Sequence, residues 1–176
     1  MNGQLKWRIL LVAGLVFSAK LSAQTFADLK AAGSGTVETN CVSSLSSGCT
    51  ITGTGQVTGT PILASGIILR VDTGGPSSLN GNVRGSQGIC VPASGAGSIS
   101  ETGGDTLEFN AVGTICEEGG PSSPYLYGGS YRITGGTGRF ASAVGTGNVS
   151  AAYTREVFIT GGSGAALFHL SGSISY

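Results

Sequence analysis

Four cysteines and a single histidine are the residues of this 176-residue chain with the widest chemical reach. Cys41 and Cys49 bracket the Ser-rich segment CVSSLSSGC, while Cys90 and Cys116 lie farther along. No Cys-x-x-Cys occurs, and His169 alone cannot complete a usual zinc set, so neither a metal site nor a cofactor is expected. Behind an export signal, four thiols read first as bridges, because compartments outside the cytoplasm oxidise them. Among the connectivities open to four cysteines, spacing favours Cys41–Cys49 closing a short loop and Cys90–Cys116 joining two strands, without excluding the others. A reactive thiol is the sharper alternative, and an oxidising compartment weighs against it.

His169 is the sole general base of the usual kind, but an imidazole needs a nucleophile and an orienting partner, and the pattern brings no particular Ser to it. No catalytic residue is assigned. Arg70, Arg84, Glu108 and Arg155 are the ionisable residues to test as lumen or ligand-binding positions. Arg155 interrupts the apolar phase of Tyr153, Val157 and Ile159. It either points into an interior, at the high cost of a buried unpaired charge, or marks a bulge that returns it to water; the cost favours the bulge. Arg132 and Arg139 flank a glycine turn and could grip an anion, against the plainer reading of surface placement. Gly135-Gly136-Thr137-Gly138 could pass for a phosphate cradle, yet such glycines must open a helix, and the segment after Phe140, ASAVGTGNVSAAY, is strand-like and broken by Gly. Thr50, Thr52, Thr54, Thr58 and Thr60 share one strand face, which could bind ice or carbohydrate but also suits any exposed strand. Asn148-Val149-Ser150 is a formal glycosylation acceptor.

The elements that would position these groups are strands. From Thr106 to Cys116 the apolar residues Leu107, Phe109, Ala111 and Ile115 alternate with Glu108, Asn110 and Thr114, the period of two of a half-buried strand. Ala166–Tyr176 repeats the pattern, with Phe168, Leu170, Ile174 and Tyr176 on one face, and His169, Ser171, Ser173 and Ser175 on the other. Thr50–Thr60 and Ile67–Val71 read alike, and Val149, Ala151, Tyr153, Val157 and Ile159 extend the pattern through a further strand or strand pair. Past the short Asp28–Ala32 segment no helical period survives. Glycine doublets at 74–75, 103–104, 119–120, 135–136 and 161–162 punctuate these runs where positive φ or a broken ladder is tolerated. Intrastrand glycines such as Gly53, Gly55, Gly113, Gly145, Gly147 and Gly172 fit the bends and crowded interior of a small barrel. The expectation is an all-β fold, a single antiparallel barrel of about eight strands with Gly-rich turns, closed because closure removes exposed edges.

Residues 1–23 read as a signal peptide. Lys6 and Arg8 precede an apolar run from Ile9 to Ala19, and Leu21-Ser22-Ala23 ends on a small residue, which places cleavage after Ala23, with Ala27 as the fallback. The run is too short to span a bilayer. The expected division is signal peptide 1–23, an N-terminal segment 24–48 with a Cys loop, and a barrel domain 49–176. The mature chain keeps Lys30, Arg70, Arg84, Arg132, Arg139 and Arg155 against all nine acidic residues. A mildly acidic protein without a clustered basic face is not expected to bind nucleic acid.

The run ITGGTGRFASAVGTG, followed by FHLSGSISY, resembles the C-terminal half of bacterial exported proteins of unknown function in the allene oxide cyclase and dirigent barrel group. The resemblance spans Gly88–Tyr176 and rests on Gly135, Gly136, Thr137, Gly138 and Phe140 of a Gly-Gly-Thr-Gly-x-Phe turn, with Ile174 and Tyr176 in the final strand. It implies an eight-stranded antiparallel barrel. Plant members cyclise an epoxide or steer radical coupling, but the matching residues are turn and core elements, so that chemistry is not carried over. The functional expectation is an exported, secreted or periplasmic, non-enzymatic barrel that binds a small apolar ligand or serves as an extracellular structural component, as a monomer or homo-oligomer. The alternative is a cyclase-like or dirigent-like enzyme or coupling guide acting on a hydrophobic substrate.

Overall fold

Alternating apolar residues close into a wall with one oily face. The computed structural model describes residues 24–41, 48–74, 90–117, 123–160 and 162–176. Its strands are β1 (Phe26–Thr39), β2 (Thr50–Thr60), β3 (Ser65–Thr73), β4 (Cys90–Glu101), β5 (Thr106–Glu117), β6 (Tyr125–Gly136), β7 (Val144–Tyr153) and β8 (Gly162–Ser175). Each pairs antiparallel with its sequence neighbours, and β8 pairs with β1 to close the barrel. The fold class is the one expected from the sequence, and β2 has the expected bounds.

Three local expectations are corrected. Asp28–Ala32 is not helical but lies within β1, where Leu29 and Ala31 are buried on the period of two. The barrel consequently begins at Phe26 and takes in most of the segment set apart as 24–48. Glu156–Thr160 is a short helix, α1, rather than a strand continuing from Tyr153. Val157 and Phe158, consecutive residues of this helix, are both buried.

Bulky rings fill the interior because facing positions carry no side chain. A Cβ on Gly97 would lie 2.7 Å from Cε2 of Phe109, its cross-strand partner. A Cβ on either Gly147 or Gly172 would lie 2.6 Å from the Tyr131 hydroxyl. Phe109 and Tyr131 then meet edge to face, with ring centroids 5.6 Å apart. The β5–β6 register slips by one residue between Glu108 and Phe109, opposite Gly135, whose φ of 142° only glycine adopts readily.

The two ends of the barrel differ. At one, Arg139 lies over the rings of Phe140 and Tyr176, with its Cζ 4.4 and 5.6 Å from their centroids. It also donates to the Pro61 carbonyl at 2.9 Å and to both Glu101 oxygens, Nε reaching Oε2 at 3.1 Å. Phe140 is fully buried, and Thr25 and Tyr176 exchange two backbone hydrogen bonds beside it. The Gly-Gly-Thr-Gly-x-Phe turn therefore builds a sealed end, and Arg139 is a tie between three loops rather than a free anion grip. At the other end, the bonded Cys41–Cys49 pair pins the β1–β2 connection, and Cys49 and Thr73 exchange backbone and hydroxyl hydrogen bonds. Cys90 and Cys116, register partners on β4 and β5, form the second disulfide. Both pairings follow the spacing.

Candidate functional site

Tyrosine lines the interior next to the disulfide-pinned end. The sequence YLYGGSY places Tyr125, Tyr127 and Tyr131 at odd positions of β6, so the strand's alternation sends all three rings inward. Across the β6–β7 ladder, Tyr153 stands opposite Tyr125 and diagonal to Tyr127. Four of the chain's five tyrosines thus share one stripe of the barrel's inner wall. Tyr127, Tyr131 and Tyr153 are 1%, 3% and 1% exposed, and none of their hydroxyls has a hydrogen-bond partner among the described residues. Their neighbours along the stripe are Ile115, Val149 and Ala151, which offer no acceptor side chain.

Burial raises every one of these phenols. Desolvation pushes Tyr127 and Tyr131 up to about 12. Tyr153 rises further, mainly by burial and then by the proximity of Tyr127. Tyr125 is also raised, first by burial and then by Glu117, with Arg155 opposing. At neutral pH all four are protonated donors. The hydroxyl of Tyr125 is hydrogen-bonded to the Glu117 side chain.

That carboxylate forms an ion pair with Arg155, the two side chains being 24% and 21% exposed. Arg155 sits in the turn between β7 and α1, with its Cζ 5.9 Å from the Tyr125 ring centroid. It neither enters the lumen as an isolated charge nor marks a bulge: Glu117 neutralises it at the rim. Phe158 of α1 closes over the stripe, its ring centroid 4.1 Å from that of Tyr125 and 6.3 Å from that of Tyr153.

The other expected lumen residues are elsewhere. Arg70 is exposed on the outer wall, with Asp72 at 3.9 Å, and Glu108 is exposed on the outer face of β5. Arg84 lies outside the described residues. His169 faces outward opposite Ser150, and Arg132 is exposed. The threonine face of β2 is also external, with Thr36 and Thr54 hydroxyls 3.1 Å apart and Thr50 donating to Asp72 at 2.6 Å. No group of three or more His, Cys, Asp or Glu side chains that could hold a metal occurs among the described residues. The tyrosine stripe escaped the charge-based search because phenols are neutral; its signal was the odd-numbered spacing of 125, 127, 131 and 153.

No family model and no curated protein match this chain. Among solved structures it is similar to the pterocarpan synthase dirigent protein GePTS1, with a TM-score of 0.46 and 15% identity over 85% of this chain and 90% of that one.

Proposed function

We propose that this protein is an exported, non-enzymatic binder of a small, neutral, largely apolar molecule carrying hydrogen-bond acceptors such as carbonyl or ether oxygens. The observation that carries this reading is the set of three buried hydroxyls, Tyr127, Tyr131 and Tyr153, that the described protein leaves unpaired. Each costs about 1–3 kcal/mol of desolvation. An acceptor-bearing ligand among apolar walls would recover that cost. An acid is disfavoured as ligand, because Arg155, the cation beside the stripe among the described residues, is already neutralised by Glu117.

Binding rather than catalysis is supported by the same groups. Phenols pushed to about 12 donate hydrogen bonds at neutral pH but transfer protons poorly. Arg70 and Glu108, the ionisable side chains a cyclase-like reading would recruit, face solvent. Export is supported by residues 1–23 and by two disulfides that need an oxidising compartment.

The test is a thermal-shift screen of the mature protein against apolar ketones, esters, quinones and ethers, with matched hydrocarbons as controls. Acceptor-bearing ligands should raise the melting temperature and perturb tyrosine absorbance. No shift with any of them, or equal shifts with the hydrocarbons, would leave a purely structural role as the better reading.

A further inference from the structure

Several polar side chains of the outer wall satisfy one another, as Thr36 does with Thr54 and Thr50 with Asp72. A patch across β5, β6 and β7 does not. Asn110, Arg132 and Thr146 are register partners in one row, and Val112, Ser130 and Asn148 in the next. All of them face solvent, around an open concavity of about 480 Å³. The polar side chains of this patch have no hydrogen-bond or ion-pair partner among the described residues. Lys30, Arg70, Arg139 and Arg155 each have a carboxylate within ion-pair distance, which leaves Arg132 as the unpaired cation among the described residues. Glu108, two positions before Asn110 on the same outer face, forms no ion pair with it.

We propose that this outer-wall patch binds an acidic saccharide, a glycan carrying isolated carboxylates of the uronic-acid kind. The site is separate from the interior tyrosines and does not depend on them. Arg132 presents a planar fork of donors that matches a carboxylate in two parallel hydrogen bonds. Asn110 and Asn148 each offer both a donor and an acceptor, and so do the hydroxyls of Ser130 and Thr146. Groups that give and take hydrogen bonds suit sugar hydroxyls, which do the same. Val112, 58% exposed, supplies an apolar contact for the C–H face of a ring. From strand spacing and rise, the two rows span ~10 Å across the strands and ~7 Å along them, room for a pyranose ring and its substituents. A single cation among neutral groups favours a sparsely charged glycan over a dense polyanion, which calls for clustered cations. A bare anion would leave the amides and hydroxyls unused.

Titrating the isotope-labelled mature protein with trigalacturonic acid, and following its backbone amides by NMR, tests the site without reference to the interior. Amides of 110–112, 130–132 and 146–148 should shift together. Arg132→Gln should weaken binding about 10- to 100-fold, as loss of a charge-assisted hydrogen bond implies. A neutral trisaccharide should bind the wild type more weakly by a similar factor and be indifferent to Arg132→Gln. Asn148→Ala should weaken the acidic and neutral sugars alike, while urea midpoints of both variants stay at the wild-type value and so separate binding from folding. The proposal is overturned by an absence of shifts at these amides, by shifts centred on another face, or by equal affinity in Arg132→Gln. Inorganic sulfate binding as tightly as the sugar would reduce the patch to an anion grip, and a Glu-rich peptide doing so would make it a protein contact; either result also overturns the saccharide.

Discussion

Replacing an interior tyrosine by phenylalanine should make this protein more stable, the opposite of the usual effect of a core substitution. The ring, which makes the packing contacts, is retained, and only a hydroxyl without a protein partner is lost. An unsatisfied buried donor costs about 1–3 kcal/mol, so Tyr127→Phe, Tyr131→Phe and Tyr153→Phe should each gain about 1 kcal/mol. For a domain of this size that corresponds to a rise in melting temperature of about 2–4 °C per substitution. Tyr125→Phe supplies a control of opposite sign, because its hydroxyl is hydrogen-bonded to the Glu117 carboxylate, and losing such a bond costs about 1.5–3 kcal/mol. Tyr127 and Tyr153 are close enough to interact, so their double variant should depart from additivity. Urea and thermal unfolding with the disulfides intact measure all of these. A melting temperature lowered by about 2 °C or more in Tyr127→Phe or Tyr131→Phe would show that those hydroxyls are satisfied, removing the reason for a ligand. If the reasoning holds, the same variants gain stability and lose the ligand-induced shift, the opposition expected where a site is kept at the fold's expense.

Alkaline pH should unfold the barrel between about pH 10 and 12. The unfolded tyrosines lose protons near 10 and the folded Tyr127 and Tyr131 only near 12, so over that window the native state binds more protons and stability falls as pH rises. Each of the two contributes a loss of roughly 3 kcal/mol, and phenolate absorbance near 295 nm should appear together with unfolding rather than before it. Gly97→Ala should cost about 1–3 kcal/mol through its clash with the Phe109 ring, and Phe109→Leu should relieve part of it, giving a coupling above about 0.5 kcal/mol in a double-mutant cycle. Additive costs would mean that the ring is not what the glycine accommodates. Arg139→Leu should destabilise by about 2 kcal/mol, since it leaves the largely covered Glu101 carboxylate unpaired and removes the cover over Phe140, whereas Arg132→Leu on the exposed face should change stability by under about 0.5 kcal/mol. Equal effects from the two would argue against the sealed end.

The fold was legible because its determinants are local and periodic. Alternation in Thr106–Cys116, Thr50–Thr60 and Ala166–Tyr176 specifies which face is buried, and a pattern of short strands with glycine corners leaves closure as the way to remove edges. The disulfide partners were legible for a similar reason, since short separations limit which thiols can meet. Asp28–Ala32 and Glu156–Thr160 were misread because segments of five residues carry less than two turns of period, and their neighbours decided between strand and helix. Nor does charge in a strand sequence say which way it faces. Arg70 and Glu108 turn outward with the pleat, and Arg155 is neutralised by Glu117, a residue 38 positions away that the β5–β6–β7 pairing brings to it. The sequence by itself thus determined a closed wall with apolar residues on its inner phase. Only the tertiary structure decided that three of the tyrosine hydroxyls are buried without a hydrogen-bond partner among the described residues, because that depends on which groups the neighbouring strands bring beside each ring.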